Sequence, residues 1–287
     1  MAKQSITMET ASNSTRFRNG LAWVMVSVGF LLLLAVVVMA FARRNVAIPA
    51  LPDSEPWYSG VFNALGTLSL LAAGGFLALR MPRNNLAWLM LLAGFGYALH
   101  LFAVGYIYIS YLVTPLPLTA LMFVLAAVGL ALLLPTIPMI VLLFPSGRLP
   151  SPGWRFAYWV WLFGKWVPFE NPLAIGGNFG QSLSFISTAA WFGFLGLLIL
   201  ATLSAIVRGL RSKGQERQQF KWLVVAAVFI LLSMFWPVNL TEGVWGYSVG
   251  YYFLNMLSTA AIPLAIAVAV ARYRLWDLEV VIRRTTS

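Results

Sequence analysis

The chain has 287 residues, of which 61% are hydrophobic and only 9% are charged, whereas a soluble domain has about 45–50% and about 25%. This composition excludes a water-soluble globular fold, because a protein surface needs charged residues to stay dispersed. The net charge of +11 does not indicate nucleic-acid binding, since the basic residues lie in short gaps between apolar runs. The chain has no cysteine, which excludes disulfide bonds and thiolate metal sites.

Eight apolar runs follow one another along the chain, and a transmembrane helix needs about 20 mostly apolar residues. We predict an all-α integral membrane protein, a bundle of about eight transmembrane helices at residues 20–42, 59–80, 86–112, 118–144, 154–169, 183–208, 220–238 and 247–271. The fifth run is short, Trp-rich and interrupted by Lys165 and Pro168, so a re-entrant or interfacial segment is the alternative.

Three regions are predicted around these runs. Residues 1–19 are rich in Ser, Thr and Asn, which indicates a disordered cytoplasmic N-terminus. Residues 20–271 form the transmembrane domain, and residues 272–287 form a cytoplasmic juxtamembrane amphipathic segment. Arg16 and Arg18 before the first run, and Ala40-Phe41-Ala42 at its end, resemble a signal peptide. The apolar stretch 21–41 exceeds the 7–15 residues of a signal-peptide core, so we predict a retained anchor.

The distribution of basic residues predicts the orientation, because Lys and Arg are enriched in cytoplasmic loops. With both termini inside, sixteen of the 19 basic residues fall in cytoplasmic segments. Arg43 and Arg44 are the basic residues of the outer loops, and Lys165 falls inside the fifth run. Both termini are therefore predicted to be cytoplasmic.

The sequence contains no nucleotide cradle, nucleophile elbow or zinc-protease motif. We therefore predict that this chain is not an enzyme and holds no cofactor or metal. The polar residues nearest membrane depth are His100, Lys165 and Glu170, and such residues are candidates for sensing. Their structural alternatives are an interhelical hydrogen bond for His100, a snorkelling side chain for Lys165 and an outer helix end for Glu170.

Prolines and the C-terminal segment indicate where helices bend. Pro135 and Pro138 in the fourth run and Pro263 in the eighth each remove an intrahelical hydrogen bond. The charged segment after Pro263 has one apolar stripe and is a candidate for transmitting a signal out of the membrane; the alternative is an ordinary positively charged stop. The candidate transmission residues are Pro263, Arg272, Tyr273, Arg274 and Asp277.

Four stretches, in order and with matching spacing, resemble the multi-helix membrane input region of bacterial sensor histidine kinases. They are Pro82-Arg83-Asn84-Asn85 leading into Trp88-Leu89, then 143–151 (LFPSGRLPS), 216–223 (ERQQFKWL), and 263–266 running into 272–285 (RYRLWDLEVVIRRT). Departures from the pattern are Ser146 where Asp is frequent, Glu279 where Asp is usual and Arg283 where Asn is common.

This resemblance implies a multi-pass protein of the bacterial cytoplasmic membrane, acting in a two-component system as a homodimer. Such proteins continue past the Arg-Thr motif into kinase domains, whereas this sequence ends at Ser287, inside that motif. We therefore expect the membrane-embedded sensory or input module of a signalling kinase, with kinase activity only in full-length relatives. The partner that we expect for it is the lipid bilayer, and nucleic acid is not expected.

Two other functions stay open. A transporter or channel component is suggested by the similar entries at 83–89 and 217–223, which each place Arg five residues before Trp-Leu and hint at two four-helix halves. The third alternative is an orphan or assembly membrane protein that binds partners through its helices.

Overall fold

The computed structural model describes the backbone of residues 2–46, 56–82, 84–145, 147–157, 159, 178–235 and 249–273. Side chains are described for residues 15–46, 56–82, 84–145, 147–157, 159, 192–214, 217–233 and 249–266. This part of the chain is all-α, with eight α-helices and a 3₁₀ turn at Pro152–Trp154. The helices are α1 (Ala2–Ala42), α2 (Trp57–Arg80), α3 (Asn85–Leu112), α4 (Thr119–Leu133), α5 (Thr136–Leu143), α6 (Asn178–Arg211), α7 (Gly214–Phe235) and α8 (Val249–Tyr273).

Six stretches of helix are long and apolar enough to cross a membrane: Thr15–Ala42, Trp57–Arg80, Asn85–Leu112, Thr119–Leu143, Phe192–Arg211 and Val249–Ile266. They coincide with six of the eight predicted spans, so the prediction of a multi-pass helical membrane protein is confirmed. Most of the fifth predicted span lies outside the described residues. The seventh coincides with α7, which is a helix of 22 residues but is not among the six candidate spans.

Helix α1 begins at Ala2, within the segment 1–19 for which the sequence predicts disorder. No Gly or Pro occurs before Gly20, so nothing in residues 2–19 interrupts a helix that continues into the first span. The disorder and the cytoplasmic location of residues 1–19 stay predictions.

The fourth span is broken, as its prolines predict. Helix α4 ends at Leu133 and α5 begins at Thr136, with Pro135 between them. The hydroxyl of Thr136 donates to the carbonyl of Leu132 at 2.6 Å and so ties the two helices together. Because α5 starts anew, Pro138 lies in its first turn, where a missing N–H removes no intrahelical bond. Pro263 lies inside α8, which is continuous, and its bending stays a prediction.

Glycines allow the helices of the bundle to approach at two crossings. A Cβ on Gly94 of α3 would lie 2.7 Å from the amide nitrogen of Leu71 in α2. A Cβ on Gly129 of α4 would lie 2.5 Å from both the carbonyl oxygen of Gly96 and the amide nitrogen of His100 in α3. Small residues at such crossings let the backbones pack directly, which is a main source of helix association in lipid.

Polar contacts identify the two ends of the bundle. At one end, Arg18 of α1 donates to the carbonyl of Pro82 in the α2–α3 turn at 3.0 Å. At the other end, Arg43 is 6% exposed, donates to Ser59 at the start of α2 at 3.4 Å, and lies 4.4 Å from the ring centroid of Tyr108 in α3. The N-terminal part of the first span and the α2–α3 turn therefore share one end, as an antiparallel arrangement requires.

Candidate functional site

A partly open cavity of about 500 Å³ lies between the helices of the bundle among the described residues. Side chains from α2 to α8 contribute to its wall, together with Leu134 between α4 and α5. Most of the wall is apolar: Leu70, Leu130, Leu133, Leu134, Ile137, Ile140, Phe192, Leu195, Ile230 and Ile262. A concave, mostly apolar cavity of 300–1,000 Å³ with a few polar groups is the usual form of a small-molecule site.

Most of the polar groups of this cavity come from one face of α8. Tyr251, Asn255, Ser258 and Thr259 line it, and their spacing of four, three and one residues places them on adjacent turns of the same helix face. The hydroxyls of Ser258 and Thr259 both donate to the carbonyl of Asn255, at 2.8 and 3.0 Å. Their oxygens consequently keep lone pairs that accept hydrogen bonds, while the amide of Asn255 can both donate and accept.

The opposite walls add two further hydroxyls. Ser233 of α7 donates to the carbonyl of Ile230 at 2.8 Å, and Tyr97 of α3 brings a phenol to the cavity. Every described residue that lines the cavity is uncharged. In a low-dielectric interior, such a wall suits a neutral molecule, because a buried charge without a partner is costly.

His100, the predicted candidate at membrane depth, lies behind Tyr97. Its ring is stacked on that of Tyr97 with centroids 5.8 Å apart, and it is 8% exposed. Its Nδ1 lies 2.9 Å from the carbonyl oxygen of Ala126 in α4. A carbonyl only accepts hydrogen bonds, so Nδ1 carries the proton and donates. The histidine thus bridges α3 and α4 and supports the cavity wall through Tyr97.

The remaining predicted residues divide into three groups. Pro263 is buried and directly follows Ile262, which lines the cavity, so it lies at the edge of this site. Arg272 and Tyr273 belong to the last turn of α8, although their side chains are outside the described set. Lys165, Glu170, Arg274 and Asp277 lie outside the described residues altogether.

Arg208, which the sequence predicts only as a cytoplasmic charge, makes structural contacts that its sequence position does not indicate. It donates to the carbonyls of Val141, Leu142 and Phe144 at 3.0, 3.1 and 2.7 Å, and so caps the C-terminus of α5 from α6. Its guanidinium also lies 5.0 Å from the ring centroid of Phe220 in α7. The last carbonyls of a helix carry partial negative charge and attract cations. Through these contacts Arg208 of α6 joins α5 and α7 at one end of the bundle.

Among the described residues, no group of three or more His, Cys, Asp or Glu side chains could hold a metal ion. The arrangement that they do form is a neutral binding cavity with a polar helix face on one side. No family model, curated protein or solved structure matches this chain. Fold and site together define a multi-pass helical membrane protein with an internal cavity.

Proposed function

We propose that this chain is the membrane-embedded input module of a bacterial sensor histidine kinase, and that its cavity receives the stimulus. The proposal includes both termini in the cytoplasm, location in the cytoplasmic membrane and action as a homodimer. The stretches at 82–89, 143–151, 216–223 and 263–285, in this order and spacing, support this family in preference to others.

The observation that carries the proposal is the double role of α8. Its face at 251–259 supplies most of the polar wall of the cavity, and the same helix passes Pro263 and ends at Tyr273. A molecule that binds to Asn255 and its neighbours therefore contacts the helix that leads out of the bundle. Pro263 removes the hydrogen bond that would otherwise reach Thr259, so the helix is weakest next to the contact. Occupation of the cavity would thus shift the end of α8, and the segment from Arg272 to Asp277 would pass this shift on.

A filled cavity can be imitated without knowing the ligand. Ile137→Trp places an indole in the cavity from α5, and spin labels on Cys at Leu210 and Leu264 report the position of α8 relative to α6. Both labelled residues are exposed, and the chain has no other cysteine. We expect a changed distance distribution in Ile137→Trp. The control Val128→Trp adds the same indole to an exposed position of α4 and should leave the distribution as in the parent.

Two results would count against the proposal separately. Identical distributions in the parent and Ile137→Trp would show that the cavity is not coupled to α8. A stop codon directly after codon 287 in the genomic DNA, in place of a reading frame that continues into a kinase, would remove the kinase assignment and leave the cavity result standing.

A transporter component is the second candidate, because a neutral cavity bounded by several helices also suits a passing solute. A single Cys at Thr259 distinguishes the two functions. An input module should expose it to thiol reagents from one side of the membrane only, whereas a transporter should expose it alternately to both sides.

A further inference from the structure

A second concavity lies at the hairpin between α6 and α7, apart from the internal cavity. It is a groove of about 470 Å³ that is lined partly by apolar and partly by polar residues. The apolar wall consists of Ile206, Gly209 and Leu210 from α6 and Phe220, Val224 and Val225 from α7; the polar residues are Arg217, Gln218 and Lys221.

The charged side chains that the structure describes in this groove are both basic. Arg217 and Lys221 are four residues apart on α7, so they share one helix face, and both are exposed. Like charges at this spacing repel each other, and an anion between them removes the repulsion. The hairpin from Arg208 to Lys221 holds five basic residues and one acidic residue, Glu216, whose side chain lies outside the described set. Arg208 is already engaged by the carbonyls of α5.

The apolar part continues from these cations along the two helices. From Arg217 to Val225 the groove extends about 12 Å along α7, at 1.5 Å per residue. Leu210 and Val225 at its edges are 71% and 57% exposed, so the groove opens towards the surface that faces lipid. Trp222, beside Lys221, is 41% exposed, and tryptophan is enriched at the level of the lipid headgroups.

We propose that the α6–α7 groove binds an anionic phospholipid. The headgroup phosphate lies between Arg217 and Lys221, and the first part of one acyl chain lies along Leu210, Val224 and Val225. Two cations at the mouth of an apolar slot match a molecule that carries its charge at one end and hydrocarbon at the other. This site is independent of the internal cavity and of the proposed input function.

Electron paramagnetic resonance on the full chain in phosphatidylcholine vesicles tests this site. The fraction of spin-labelled phosphatidylglycerol that is immobilised by the protein is compared with that of spin-labelled phosphatidylcholine. We expect the parent to prefer phosphatidylglycerol, and Arg217→Gln/Lys221→Gln to lower this preference about fivefold to thirtyfold, as one or two lost contacts of about 1 kcal/mol predict.

The matched control is Arg211→Gln/Lys213→Gln, which removes the same charge from the same hairpin outside the groove and should keep the preference. Val225→Trp retains both cations but fills the slot, and should also abolish the immobilised phosphatidylglycerol. Glycerol phosphate in the buffer should not displace the labelled lipid. Equal losses in both double variants, no loss in Arg217→Gln/Lys221→Gln, or displacement by glycerol phosphate would each overturn the proposal. Unchanged circular dichroism and gel-filtration profiles establish that the variants fold.

Discussion

The crossing of α3 and α4 at Gly129 gives the sharpest test of how this bundle is held together. We expect Gly129→Ala to destabilise the protein. The new Cβ would lie 2.5 Å from the carbonyl oxygen of Gly96 and the amide nitrogen of His100, whereas ordinary contacts begin at 3.4 Å. Both neighbours are backbone atoms that no side-chain rotation can move, so the two helices must separate by about 0.9 Å, the difference between these distances.

This separation has two energetic consequences. Overpacking of a tight contact costs about 1–3 kcal/mol. The same displacement stretches the 2.9 Å contact between His100 Nδ1 and the Ala126 carbonyl beyond hydrogen-bonding range, at a further cost of about 0.6 kcal/mol. The higher helix propensity of alanine returns at most about 1 kcal/mol. If alanine returns this full amount, the expected net loss in the free energy of unfolding is about 0.6–2.6 kcal/mol.

Unfolding by sodium dodecyl sulfate, followed by circular dichroism, measures this loss. The control is Gly193→Ala in α6, where a new Cβ would meet no atom within 4 Å and should leave stability equal or slightly higher. If Gly129→Ala unfolds at the same detergent fraction as the parent, α3 and α4 do not cross as closely as described, and the bridge through His100 is not needed.

Three further predictions concern the ends of the bundle. A single Cys at Asn178 should react with an impermeant thiol reagent from outside the cell and a Cys at Ser212 only after permeabilisation; outside labelling at Ser212 would refute the orientation. Arg208→Gln should lower the free energy of unfolding by about 1.5–3 kcal/mol, because hydrogen bonds from a charged group to the end of α5 are lost. Substitution of the exposed Arg211 by Gln should change the free energy of unfolding little. Equal effects of the two variants in the same detergent titration would contradict the capping role. If the chain is the proposed input module, Pro263→Ala should insert normally but uncouple stimulus from output in a full-length kinase homologue. Parent-like phosphorylation would reduce the end of α8 to an anchor.

The sequence was sufficient to locate most of the helices, because a bilayer demands long apolar runs with internally satisfied backbones. It also placed the break at Pro135, since a proline must interrupt the hydrogen bonds of its own helix. These features depend on neighbours in the chain and on the solvent, and both can be read from residue types alone.

The faces of the helices could not be read in the same way. Lipid tails are as apolar as leucine, so hydrophobicity does not tell a lipid-facing side chain from one that faces another helix. Asn255, Ser258 and Thr259 are polar residues at helical spacing, but this spacing alone does not tell whether their face meets a cavity, another helix or lipid. The partners of Arg208 lie 64 to 67 residues earlier in the chain, and nothing in the local sequence at either position indicates the other.

That long separation has a consequence for the synthesis of the protein. The carbonyls at the end of α5 emerge from the ribosome well before Arg208, which follows Leu142 by 66 residues. At 5–20 residues per second, roughly 3–13 s pass between the two. During this interval only water or lipid headgroups can satisfy the carbonyls at the end of α5. The contact that joins α5, α6 and α7 can therefore form only after α6 has been made, so the order of translation sets when this end of the bundle closes.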